Sequence, residues 1–154
     1  MASGIIVTRE ASFVMMCVVA LSELSPETLS DPAELNRAVK SSIESRGLWG
    51  TYRWLEDVSD TDPVMRGYQE IVRCTIVREF LSSDNLSSVV PRISPEFLSN
   101  FDQFDLTVQE GYLMSLVDGR SNIERIIKLS PFDGFTTMFT LARLKHQNAI
   151  SLPS

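Results

Sequence analysis

His146 is the only histidine in the chain, so any imidazole-based chemistry would have to use it. A Ser-His-Asp site needs a serine presented on a strained turn beside that ring, and no such nucleophile elbow is present. His146 falls instead at the end of an apolar-periodic run, where a cation favours the negative end of a helix dipole. It reads as a capping or surface residue. Asp102, Asp105 and Glu110 bring three carboxylates close together in sequence. They lack the alternating spacing of a calcium loop and read as solvated loop charges. Cys17 and Cys74 lie far apart, outside any CxxC or Cys/His pattern, in apolar helix-like contexts. The expectation is buried free thiols, with a disulfide between them left open. The seven glycines are scattered and form no phosphate-cradling loop. The expectation is therefore a non-enzymatic protein with no cofactor and no metal.

The bulk properties narrow the class further. A length of 154 residues fits one domain or two small ones sharing a core. Hydrophobic residues make up 44% and charged residues 22%, ordinary values for a folded chain. The formal net charge of -6 removes the basic surface that duplex-DNA binders use to neutralise phosphates. From Thr107 onward there are four acidic and five basic residues, so the acidic excess lies upstream. The longest apolar run, Phe13 to Leu21, is too short to span a bilayer. As a signal-peptide core it has the wrong flanks, because Arg9 is followed by Glu10 and no small-residue cleavage site comes after it. It is expected to be a core element of a cytoplasmic protein.

Periodicity sets out the elements. Gly4 to Thr8 is β-branched and reads as a strand. Ser12 to Leu24 has helical spacing, with a buried strand as the competing reading. Pro32 to Arg46 reads as a helix with a stripe of Leu35, Ala38, Val39, Ser42 and Ile43, stopped by Gly47. Leu48 to Val58 is aromatic and β-rich through Trp49, Tyr52 and Trp54. It reads as a strand or hairpin arm, paired with Gly4 to Thr8, with its aromatics packed on neighbouring helices. Asp62 caps a long helix to about Ser83, with Val64, Tyr68, Ile71, Val72, Thr75, Ile76 and Leu81 on its apolar side. An extended connection holds Val89, Val90 and Pro91, and Pro95 starts a short helix to about Phe101.

The C-terminal third carries the most consistent signals. Thr107 and Glu110 form a capping box for a helix reaching Val117. Asp118 and Gly119 make a turn. Ser121 and Glu124 have the spacing of a second capping box, and Ile123, Ile126, Ile127 and Leu129 supply a packing face. Ser130 and Pro131 open a third helix, 131–146, rich in Phe132, Phe135, Met138 and Phe139. Asn148 stops it, and Ala149 and Ile150 begin a short extended tail. Two short helices joined this tightly must cross steeply, in the manner of a helix-turn-helix. The expected fold is mainly α: an N-terminal helical layer with a small strand pair over residues 1–104, and a winged-helix-like three-helix unit over 105–154.

This tail resembles the C-terminal helical region of PATAN-type (PatA amino-terminal-like) bacterial signalling proteins. The resemblance rests on Leu106 and Thr107, Glu110, the Val117, Asp118, Gly119 turn, Ile126 and Ile127, Leu141, Leu144 and Ile150. It departs at His146 to Ala149, where a glycine is usual. Leu48 to Trp54 and the long helix after Asp62 also look like the family's middle region. The resemblance implies a non-enzymatic adaptor of bacterial signal transduction, in two-component or motility pathways. Its partner would be a response-regulator receiver domain, or a second copy of the chain.

Helix 131–146 holds more large apolar side chains than a three-helix unit can bury. Phe132, Phe135, Met138, Phe139 and Arg143 are therefore the expected partner-binding residues. The alternative is a DNA-binding regulator whose recognition helix offers Thr136, Thr137, Thr140, Arg143 and Lys145. Two cations are thin for that task.

Overall fold

The computed structural model describes residues 31–58, 62–82 and 88–153. The expected elements at Gly4 to Thr8 and Ser12 to Leu24, and Cys17 with them, lie outside the described residues. Those residues form a mainly α-helical protein with one small antiparallel strand pair. The elements are α1 (Pro32–Val58), α2 (Pro63–Leu81), β1 (Arg92–Ile93), α3 (Pro95–Ser99), a 3-10 turn (Phe101–Gln103), α4 (Val108–Leu116), α5 (Ile123–Leu129), α6 (Gly134–His146) and β2 (Ile150–Ser151). The chain divides into two compact units between Val72 and Arg73, inside α2. The second unit thus starts well before the 104/105 boundary read from the sequence.

In the first unit α1 has two arms. The Pro32 to Arg46 arm forms as expected, with Leu35, Val39 and Ser42 buried. Gly47 then takes φ 71 and ψ 177, a conformation closed to side chains with a Cβ. A residue nine positions along a straight helix would be about 13 Å away. Yet Thr51 Oγ1 lies 3.0 Å from Ser42 Oγ and donates to the Gly47 carbonyl at 2.9 Å. The chain folds back at Gly47, and two buried hydroxyls satisfy each other inside the bend. Gly50 allows the close approach, since a Cβ there would stand 2.7 Å from Arg46 Cβ.

The second arm corrects the sequence reading. Residues 48–58 are helical, not a strand or hairpin arm. Thr51, Tyr52 and Leu55 are buried at helical spacing. Trp49 packs edge-on to Tyr52 at 6.3 Å. Aromatic and β-branched composition favoured a strand, but burial along a 3.6-residue period prevails over such weak preferences.

The phase of α2 also differs. Its buried stripe is Met65, Val72, Ile76, Val77 and Phe80, while Val64, Ile71 and Leu81 are exposed. Cys74 projects away from that stripe and is an exposed free thiol, not a buried one. The misreading arose because α2 has apolar residues on several sides, so composition alone leaves its rotation open.

In the second unit β1 pairs with β2, with Arg92 opposite Ser151 and Ile93 opposite Ile150. The tail strand was expected; its partner was not. Ser94 extends the ladder: its N–H donates to the Ala149 carbonyl at 3.0 Å, and its hydroxyl donates to the Asn148 carbonyl. The same hydroxyl caps α3 by accepting from Phe97 N at 3.1 Å. Helix α6 packs against α4, α5 and β2. The buried core holds Phe97, Leu113, Met114, Ile123, Ile126, Phe139, Leu141, Leu144 and Ile150.

Candidate interaction surface of the C-terminal unit

Besides Ser94 on α3, three caps position α4, α5 and α6. Thr107 and Glu110 make the reciprocal capping box of α4: Glu110 N donates to Thr107 Oγ1 at 3.2 Å, and Thr107 N donates to Glu110 Oε2 at 2.7 Å. The turn after α4 is organised by Asp118, whose Oδ1 accepts from Arg120 N at 2.8 Å and Ser121 N at 2.6 Å. Gly119 supplies the positive φ of 69 that this turn requires.

The second capping box does not form. Ser121 Oγ donates to Asp118 Oδ2, so Asn122 becomes the cap of α5, accepting from Arg125 N at 2.9 Å. Glu124 instead pairs with Lys128 at 2.6 Å, one helical turn on. The third helix starts later than Pro131. Ser130 Oγ is engaged with Thr137 Oγ1 and accepts from Phe132 N, so these residues form a turn. Asp133 then caps α6 through Thr136 N at 2.9 Å and Thr136 Oγ1 at 2.6 Å. At the far end Asn148 has φ 57, as its role as a stop requires. Asn148 N donates to the Lys145 carbonyl and Ala149 N to the Leu144 carbonyl, a Schellman closure built on asparagine.

Three carboxylates at these helix starts and turns carry charge. The backbone N–H groups of Ser121 and Arg120 hold the Asp118 carboxyl below the usual aspartate range. The Lys128 ammonium hydrogen-bonded to Glu124 lowers that carboxyl, and the Thr136 hydroxyl and N–H lower Asp133. All three favour the ionised form in the folded state, so their support is complete above the ordinary carboxyl range. It is lost as pH falls through that range toward the lowered native values. Thermal melts should show the midpoint falling from roughly pH 5 to pH 3. Asp133→Asn keeps a capping oxygen but cannot titrate, so its melting midpoint should fall less over that interval. A variant with the parent's full acid slope would refute this assignment.

Glu110 is not a solvated loop charge; its side chain is 1% exposed. Its Oε1 lies 3.1 Å from Arg143 Nε on α6, an ion pair set off the hydrogen-bond axis. Arg143 therefore ties α6 to the start of α4. Asp102 and Asp105 remain exposed. Among the described residues no group of histidine, cysteine, aspartate or glutamate side chains could hold a metal ion. No helix among them is long and apolar enough to cross a membrane.

The apolar residues expected to bind a partner do not form one open face. Phe139 is buried, and Phe132, Phe135 and Met138 are half-buried. The Arg73 guanidinium lies over the Phe139 ring at 4.7 Å and the Phe135 ring at 5.3 Å. Helix α6 is thus a core helix, its apolar excess absorbed partly by a cation from α2. The side proposed to read DNA is also largely enclosed. Thr137 and Thr140 are buried, Thr136 is bound to Asp133, and Arg143 is held by Glu110. Lys145 is exposed at the end of α6, 6.0 Å from the Phe80 ring.

Besides Val64, Ile71, Leu81 and Leu129 on other helices, open apolar side chains lie on α4 and the segment before it. Val108 is 90% exposed, and Leu98, Phe101 and Tyr112 are exposed as well. Tyr112 meets Phe132 edge-on at 5.9 Å, which makes Phe132 the one expected partner residue that joins this surface. The signal was present in the sequence. With Thr107 as cap, Glu110, Leu113, Met114 and Val117 recur at three- and four-residue spacing and fix the inner face. Val108 and Tyr112 must then lie on the opposite side.

No protein-family model, curated protein or solved structure matches this chain.

Proposed function

We propose that this protein is a non-enzymatic interaction module, an adaptor of bacterial signal transduction. A three-helix unit with a strand tail, winged-helix-like in plan, presents its binding surface on α4 rather than on α6. One observation carries this reading: on the outer side of α4 Val108 is 90% exposed and Tyr112 is exposed, with the half-buried Phe132 edge-on to its ring. Soluble domains seldom leave such groups clustered without a use. The resemblance of the tail to PATAN-type proteins supports the signalling assignment and a receiver domain as the partner class.

The alternative is a winged-helix regulator that reads DNA through α6. The burial of Thr137 and Thr140 and the engagement of Arg143 weigh against it. The two readings separate cleanly in solution. Light scattering and titration against purified receiver domains should give a stoichiometric protein complex. A low-salt gel shift should stay silent. A band with a steep salt dependence would favour the DNA reading. Failure to bind any receiver domain, with a strictly monomeric chain, would remove the receiver-adaptor reading.

A further inference from the structure

Between the exposed Arg92 and Arg120, the segment from Ile93 to Gly119 contains five acidic residues and no lysine, arginine or histidine, an acidic excess that the two flanking arginines offset only in part. Glu110 is neutralised internally by Arg143. The other four, Glu96, Asp102, Asp105 and Asp118, are all exposed. The same segment holds the exposed Leu98, Phe101, Val108 and Tyr112. Within it the outer side of α4 is itself uncharged: Val108, Gln109, Gly111, Tyr112 and Ser115. Asp105 precedes that side and Asp118 follows it, while Asp133 adjoins Phe132 in the chain.

Gly111, like Gly67 on α2, is a helix glycine with open space beside it. Its φ is not positive, and a Cβ built on it would meet nothing within 4 Å. Neither backbone conformation nor internal packing calls for glycine, which weakens a helix relative to alanine. A bare backbone between Val108 and Ser115 leaves room for another main chain to approach α4 closely.

We infer that the outer side of α4 docks a basic amphipathic segment of a partner protein. Its apolar side chains would lie on Val108, Tyr112 and Phe132, and its lysines or arginines would face the acidic rim. This rests on the interaction reading above and names the chemistry of the partner. A second copy of this chain would bring the same acidic rim and meet like charge. Anionic lipid and nucleic acid would be repelled for the same reason.

The test uses the full chain and two synthetic helical peptides with the same leucine stripe, one carrying lysines and the other glutamates. Anisotropy of the labelled peptides gives affinity, and amide chemical shifts give location. The lysine peptide should bind, weaken with added salt, and shift the amides of residues 108–115. Val108→Gln and Gly111→Gln should each weaken it about tenfold, as for anchor residues at an interface centre. Val108→Gln changes a side chain already in solvent, and Asp105→Asn should lower the salt dependence without unfolding. Equal binding of the glutamate peptide would overturn the inference, and so would full affinity in both glutamine variants or shifts confined to other helices. A receiver-domain complex indifferent to Val108→Gln would sink this inference alone and leave the interaction reading in place.

Discussion

Arg143→Ala should destabilise the C-terminal unit by about 3 kcal/mol, the lower end of the cost of removing one partner from a buried ion pair. Glu110 is almost fully enclosed, and Arg143, 29% exposed, is the cation that faces its Oε1. Truncating the arginine leaves the carboxylate buried without compensation, because its other oxygen is already committed to Thr107 N. Water can reach the partly exposed arginine site, which sets the estimate low in the range. Glu110→Gln should cost only about 1 kcal/mol, since the amide oxygen still accepts from Thr107 N and no charge is stranded. The double variant should then be markedly more stable than the sum of the two losses predicts. Urea unfolding followed by far-UV circular dichroism measures all three. Additive losses, or an Arg143→Ala cost below about 1 kcal/mol, would show that the pair is peripheral to stability.

Gly47→Ala should cost about 3 kcal/mol in the first unit, the upper end of the range for a residue forced into a sparsely populated backbone region. At φ 71 and ψ 177 an alanine Cβ meets its own backbone, although no other atom lies within 4 Å of the site. Two outcomes are open to the chain, and both are unfavourable. Holding the bend keeps the strain, while straightening into a continuous helix separates Ser42 from Thr51 and breaks the buried contact between their hydroxyls. Trp49 and Trp54 are the only tryptophans, and both lie in the second arm of α1. Their fluorescence should report an earlier unfolding midpoint for the variant. A midpoint at or above that of the parent would mean that the bend is not strained.

The C-terminal unit was legible in the sequence to the extent that its signals are local. The Thr107 and Glu110 box, the Asp118 and Gly119 turn and the Asn148 stop each depend on residues a few positions apart, so their chemistry can be read directly. The second capping box failed for an equally local reason. Asp118 captured the Ser121 hydroxyl and two neighbouring N–H groups, and moved the start of α5 to Asn122. Competition between two good acceptors for the same donors is not visible in spacing alone.

Residues 48–58 show the opposite limit. Their composition suits a strand, but a helical period that buries Thr51, Tyr52 and Leu55 carries more free energy than propensity. The site illustrates the same division. The sequence by itself determined the number and order of the C-terminal helices, the Thr107 and Glu110 cap of the first, the Asp118 and Gly119 turn and the Asn148 stop. It also contained the rotation of α4, through the spacing of Glu110, Leu113, Met114 and Val117. Only the tertiary structure decided which apolar residues are open. Phe135 and Phe139 are covered by Arg73, distant in sequence, while Val108 stays exposed. Burial is a property of pairs of surfaces. Which pairs meet depends on long-range packing that no local pattern encodes.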